Sequence, residues 1–250
     1  MRRIARVPLT KKTAFYLARK QGEVDGGSEA RKVWESARRT KTMREVARSL
    51  STMTGRRQRC MYCEDSRATQ IDHFWPMARF SGKTFVWPNM LWLCGGCNQT
   101  KGDRFDLDKM GKPLLIDPTT EDPWDYLFFD PHTGIVTARV DPDSGLPDPK
   151  GQYTADSGVL PINIEPVTDG RARVYRSLRR AVQRFLDRAP QTADRTALQA
   201  ELLEEIRDHD DYGLARWYFR RDGRTFPPFS ELRNRHEDVW QAITAQLGLD

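Results

Sequence analysis

The stretch "NMLWLCGGCNQTKGD", residues 89–103, decides how the chain is read. Two glycines separate Cys94 from Cys97; Asn89 stands upstream, and Asn98 and Lys101 follow. Alone, a C-x-x-C pair is a metal knuckle, a redox pair or an accident. Its counterpart is "CMYC", Cys60 to Cys63, and these two pairs use all four cysteines of the chain. Two such pairs match a four-thiolate zinc site, although the gap between them exceeds the commonest zinc spacing. The competing reading, redox or incidental pairs, fits less well. A redox motif comes as one C-x-x-C at the start of a helix that follows a strand.

Working outward, the 250 residues carry 30% charged and 38% hydrophobic side chains, as expected for a soluble globular protein with a polar surface. No apolar run approaches the roughly 18 residues of a membrane helix. The first residues, "MRRIARVPLTKK", are basic but lack a following apolar block, so a cytoplasmic location without a secretory leader is expected. Charge is uneven. Residues 1–59 hold 17 Lys and Arg against 5 Asp and Glu, while the rest of the chain holds 24 against 30. A basic lobe suggests a polyanionic partner, most often nucleic acid, or else a solvated face.

Four regions follow from patterning. Residues 1–55 read as a basic helical N-terminal region. Thr10 caps a helix through Gln21, and Ser28 caps a longer one with Val33, Trp34, Ala37, Met43, Val46, Ala47 and Leu50 as its apolar stripe. Arg31, Lys32, Arg38, Arg39, Lys41, Arg44 and Arg48 occupy its other face. Residues 56–112 hold the cysteines and many aromatics. Residues 113–169 read as loops and short strands, and residues 170–250 as helical again, with Ser230 opening a final helix. Apart from the duplicated C-x-x-C, no internal repeat is evident.

Between the cysteine pairs lies "QIDHFWPMARF", with Asp72-His73, and then "WPNML", with Asn89. The order C-x-x-C, D-H, N, C-x-x-C-N-x-x-K resembles the HNH endonuclease family, in its tetracysteine form and with asparagine at the third signature position. The run is most similar to the HNH component of Septu-type antiphage systems, with "PLLIDP" as a weaker additional likeness. The resemblance spans about residues 58–112. It implies an α+β fold: a ββα-metal nuclease module stapled by a four-cysteine zinc site and flanked by mainly helical regions. His73 would end the first strand, Asn89 would lie in the loop or second strand, and Asn98 would open the helix.

The resemblance also implies a chemistry. Cleaving a phosphodiester needs an activated water, a cation for the developing charge and accurate positioning. His73, titrating near neutrality, is expected as general base. Asp72 and Asn98 offer hard oxygen ligands suited to catalytic Mg²⁺ or Mn²⁺, with Cys60, Cys63, Cys94 and Cys97 on structural Zn²⁺. Asn89 is expected to brace the loop that orients His73, and Lys101 to contact phosphate. Many family members have histidine where this chain has Asn98, which favours a loose Mg²⁺ site over a tight transition-metal one. DNA is the expected partner, with an ATPase subunit of a defence complex implied by the Septu likeness. The alternatives are a zinc-knuckle nucleic-acid-binding or scaffold protein without catalysis, and a restriction or homing nuclease. Trp75, Trp87 and Trp92 are expected in the core, and His132, His209 and His236 as structural residues.

Overall fold

The computed structural model describes residues 1–192 and 195–249. It divides into two compact units. One comprises Arg3–Leu127 and Ala138–Ile162 with Met1; the other comprises Phe128–Thr137 and Asn163–Asp250 with Arg2.

The first unit opens with three helices, α1 (Lys11–Asp25), α2 (Ala30–Ala37) and α3 (Lys41–Met53). Thr10 caps α1, its hydroxyl accepting from the Thr13 N–H at 3.2 Å, and the helix runs one turn beyond Gln21 to a Gly26-Gly27 break. The single long helix expected from Ser28 is instead two. Glu29, not Ser28, stands at the N-cap of α2, and Thr40 restarts the chain as the cap of α3 by accepting from Met43 N at 3.3 Å. A threonine that can satisfy an orphan N–H competes with helix continuation, and here the cap prevails. The apolar stripe survives the break, because Val33, Trp34, Ala37, Met43, Val46 and Leu50 are all buried.

Next comes a strand pair, β1 (Gln70–His73) and β2 (Met90–Leu93), followed by helix α4 (Gly95–Lys101). The strands are antiparallel, with Asp72 opposite Leu91 and His73 opposite Met90. All four residues of β2 are buried, which anchors the short pair from both faces. Phe74, Trp75 and Phe80 of the β1–β2 connection and Phe105 beyond α4 pack edge-on or tilted with centroids 4.7–6.3 Å apart. Of the tryptophans expected in the core, Trp92 is buried, whereas Trp75 and Trp87 are half-buried and lie under Lys83 and Arg6 as cation–π partners. Helix α5 (Pro149–Ala155) completes the unit.

Strands β3 (Leu127–Phe129) and β4 (Val136–Ala138) pair around Asp130-Pro-His-Thr-Gly134. Asp141-Pro-Asp-Ser-Gly145 forms the same turn. In each the aspartate carbonyl accepts from the glycine N–H at 2.9 Å, and its carboxylate accepts from the N–H two residues on. This D-P-x-[ST]-G repeat is a correction to the expectation of none beyond the cysteines. Gly134 has φ +77°, and a Cβ there would meet the Thr168 carbonyl oxygen at 2.0 Å.

The second unit is mainly helical: α6 (Glu165–Arg188), α7 (Arg195–His209), α8 (Leu214–Arg220), α9 (Phe229–Arg235) and α10 (Glu237–Gln246). Helix α6 begins before Gly170 because Glu165 and Pro166 make a favourable first turn. The final helix expected from Ser230 is broken at His236, whose φ of −141° and ψ of 59° are not helical. Trp217, Tyr218, Phe219, Phe229 and Trp240 form its aromatic core. Among the described residues no helix is long and apolar enough to cross a membrane.

Candidate active site and metal centre

The four cysteines converge. Their Sγ atoms all lie within 4.8 Å of one another, all four residues are buried, and Cys63 and Cys94 approach to 3.8 Å. Tetrahedral zinc with Zn–S bonds of about 2.3 Å separates its sulfurs by about 3.8 Å, so the residues present fit that ion. Local geometry builds both knuckles. Glu64, at φ 55°, turns the first loop so that its N–H reaches the Cys60 carbonyl at 3.1 Å. Cys94 is the N-cap of α4, its sulfur accepting from the Cys97 N–H at 3.4 Å. Burial pushes the Cys60 thiol well above its usual range, while a hydrogen bond from Cys60 brings Cys63 down to about 7. Four buried sulfurs cannot all ionise side by side without a cation, and this pocket is built for one. His132, His209 and His236 lie outside this cluster.

His73 is the last residue of β1 and is buried. Its Nε2 lies 2.8 Å from the Thr84 carbonyl oxygen. A carbonyl only accepts, so Nε2 carries the proton, and Nδ1 of the neutral ring keeps the basic lone pair. Trp34 packs edge-on against the imidazole at a centroid distance of 4.5 Å. Burial holds the His73 pKa below the usual histidine value, against an opposing contribution from Asp72.

Asn89 ends a 3₁₀ turn just before β2 and is buried. Its Oδ1 accepts from Trp75 N at 2.7 Å, and its Nδ2 donates to the carbonyls of Trp75 at 3.1 Å and Lys83 at 2.9 Å. The Lys83 carbonyl precedes Thr84, whose own carbonyl holds the imidazole. Asn89→Ala should therefore cost about 1–3 kcal/mol for each buried group left unpaired. Melting curves of the variant beside wild type check this; an unchanged transition would show that these three bonds carry no net stability.

Asp72 and Lys101 form a buried pair. Lys101 Nζ lies 2.9 Å from Asp72 Oδ2 and donates to the His73 carbonyl at 2.8 Å, with its side chain 0% exposed. The expectation that Lys101 contacts phosphate does not fit this placement, because its ammonium group is enclosed and committed. It secures the carboxylate and the end of β1 instead. The Asp72 side chain is 11% exposed although Oδ2 is buried, so Oδ1 is the oxygen left for a ligand.

Asn98 is the fourth residue of α4, not its opening residue, since Cys94 takes the cap. Its Nδ2 donates to Gln70 Oε1 at 2.5 Å. Sequence reading missed Gln70, yet the signal was present: it stands two residues before Asp72 and shares its strand face. Trp34 and Thr84 were also missed, because only tertiary contact joins them to His73.

Gln70, Asp72, His73 and Asn98 line a cleft of about 610 Å³ together with Trp34, Arg38, Arg39 and Arg44. An imidazole, a carboxylate and an amide thus face one space, flanked by cations.

Residues 60–104 match the family model of the HNH endonucleases. The match covers the two knuckles, both strands and α4, so this segment is an HNH endonuclease domain carrying four cysteines positioned to bind a metal. The family points to a nuclease and the cluster to zinc. No curated protein matches the chain.

Proposed function

We propose that the chain is a divalent-metal-dependent endonuclease that hydrolyses DNA phosphodiester bonds in this cleft. The observation that carries the reading is the 2.8 Å approach of His73 Nε2 to the Thr84 carbonyl, which leaves Nδ1 as the base in the cleft that Asp72 and Asn98 also line. Antiparallel β1 and β2 with α4 behind them are read as the ββα-metal arrangement. Asp72 Oδ1 and the Asn98 amide oxygen are the groups that would hold Mg²⁺ or Mn²⁺. Such an ion supplies charge stabilisation at the scissile phosphate and leaving oxygen.

The chain's own residues then divide the work. His73 Nδ1 accepts a proton from the attacking water. Thr84 and Trp34 fix the ring, and Asn89 fixes the loop that carries Thr84. Lys101 holds Asp72 to one orientation and leaves it a single oxygen to offer. Gln70 orients the Asn98 amide by taking its N–H. A role in antiphage defence with an ATPase partner rests on the likeness of the motif run and of "PLLIDP" to Septu-type proteins.

Plasmid cleavage with added Mg²⁺ or Mn²⁺, against a control without either, tests the reading. Metal-dependent nicked or linear product is expected; absence of product under all conditions would sink it. The pH profile is a sharper check. A base must be neutral, and burial depresses the His73 pKa, so the rate should hold level downward through pH 6.5 and fall only below it. A nearby cation pushes the same way. An acid limb centred above 6.5 would assign the base to another group.

A further inference from the structure

The cleft has a wall outside the segment that carries the nuclease motif. Helix α2, the turn after it and α3 contribute Trp34, Arg38, Arg39 and Arg44 to the same space as Asp72 and His73. These helices and the turn between them carry a net positive charge, yet their basic residues are not equivalent. Arg31 and Lys32, away from the cleft, are neutralised by Glu35 at 3.3 Å and Glu29 at 2.8 Å. Arg38, Arg39 and Arg44 are exposed, and among the described residues no carboxylate pairs with any of them. Among the described residues Asp72 is the one acidic residue lining the cleft, and it is already paired with Lys101.

Three uncompensated guanidinium groups therefore share one concave surface with the candidate base. Like charges gathered this closely repel, and a polyanion relieves the repulsion. The guanidinium fork also matches the paired oxygens of a phosphate. Register with the chemistry is built in, because Trp34 packs against both the His73 ring and Phe85, at 4.5 and 5.6 Å.

We propose that α2 and α3 form a phosphate clamp in which Arg38, Arg39 and Arg44 hold the phosphates on either side of the scissile one in a DNA strand. The proposal rests on the nuclease reading of the cleft and adds the residues that seat its substrate. Contacts of this kind place the strand without reading its bases, so the clamp carries affinity and not sequence preference.

The test compares the full chain with a triple variant, Arg38→Gln, Arg39→Gln and Arg44→Gln, and with a control, Arg31→Gln and Lys32→Gln. Binding of a labelled DNA duplex is measured across a salt series without added Mg²⁺ or Mn²⁺, and cleavage with either ion. For the triple variant, the slope of log affinity against log salt should become shallower by about 2–3, near 0.9 per lost phosphate contact. Its KM should rise at least tenfold with an unchanged melting temperature, while the control changes its slope by less than one. An unaltered slope in the triple variant, or equal loss per charge in the control, would overturn the clamp. So would RNA bound tenfold more tightly than DNA through the same arginines. Wild type that binds with the expected arginine dependence but cuts nothing would remove the nuclease reading and leave the clamp standing. Wild type that cuts while the triple variant keeps the full slope would do the reverse.

Discussion

His73→Ala should abolish cleavage, lowering the rate by about 10²–10⁴-fold, while zinc content and the cysteine module remain intact. The magnitude is that of a positioned general base. Confinement of the effect to activity follows from where the residue sits. The imidazole ends β1 and is bonded on one side to the Thr84 carbonyl, whereas the sulfur cluster is built by the two knuckles and the start of α4. Some stability is lost as well. Removing the ring leaves the buried Thr84 oxygen without its donor and Trp34 without its edge contact, on the order of 1–3 kcal/mol. The check is cleavage by His73→Ala beside wild type at matched metal concentrations, with melting curves and zinc analysis on the same preparations. A variant that cuts at the wild-type rate would show that the base lies elsewhere. One that loses its zinc would show that His73 is structural.

Cys94→Ala should produce the larger structural failure. Zinc on four thiolates contributes an apparent binding free energy of about 10–16 kcal/mol, and in small modules that energy is folding energy. Removing one sulfur leaves three buried ligands at close range and also removes the cap of α4, whose Cys97 N–H it accepts. Helix α4 carries Asn98 and Lys101, so its loss would release both the amide and the ammonium that holds Asp72. The expected result is loss of stoichiometric zinc, a melting transition lowered or abolished, and no cleavage. Prolonged chelation of wild type should reproduce it, with recovery when zinc is restored. A Cys94→Ala protein that is fully folded and fully zinc-loaded would rule out the four-thiolate centre.

The two variants separate the roles of one short segment. His73→Ala is expected to disable chemistry on a standing scaffold, and Cys94→Ala to remove the scaffold. Between them lies Asn89→Ala, which touches neither reacting atoms nor sulfur yet displaces the loop that fixes the histidine.

How far this was legible before the structure depended on the range of the interaction. The cysteine pairs, the Thr10 cap, the apolar stripes and the order of Asp72, His73, Asn89 and Asn98 are patterns over a few residues, and local chemistry limits what they can mean. The break at Thr40 and the break at His236 were not legible, because each is a close contest between helix continuation and an alternative local conformation. Lys101 shows the limit most plainly. The expectation was phosphate contact, since a spacing of three from Asn98 on a helix would put the two on one face. In the folded chain Asn98 lines the cleft, while Lys101 is buried against a carboxylate that precedes it by most of the domain's length.

The sequence by itself determined the elements of this protein: a four-sulfur centre, an imidazole beside a carboxylate, two asparagines, and a basic helical region ahead of them. Tertiary structure alone decided their partners. It assigned Thr84 to the Nε2 proton of His73, Lys101 to Asp72, Gln70 to Asn98, and to the wall of the same cleft three arginines that have no carboxylate partner among the described residues. The physical reason is that ligand type and spacing are written in neighbouring residues. The proton a ring keeps, the oxygen a carboxylate has left and the charge left unmatched are set by groups that only folding brings within about 3 Å.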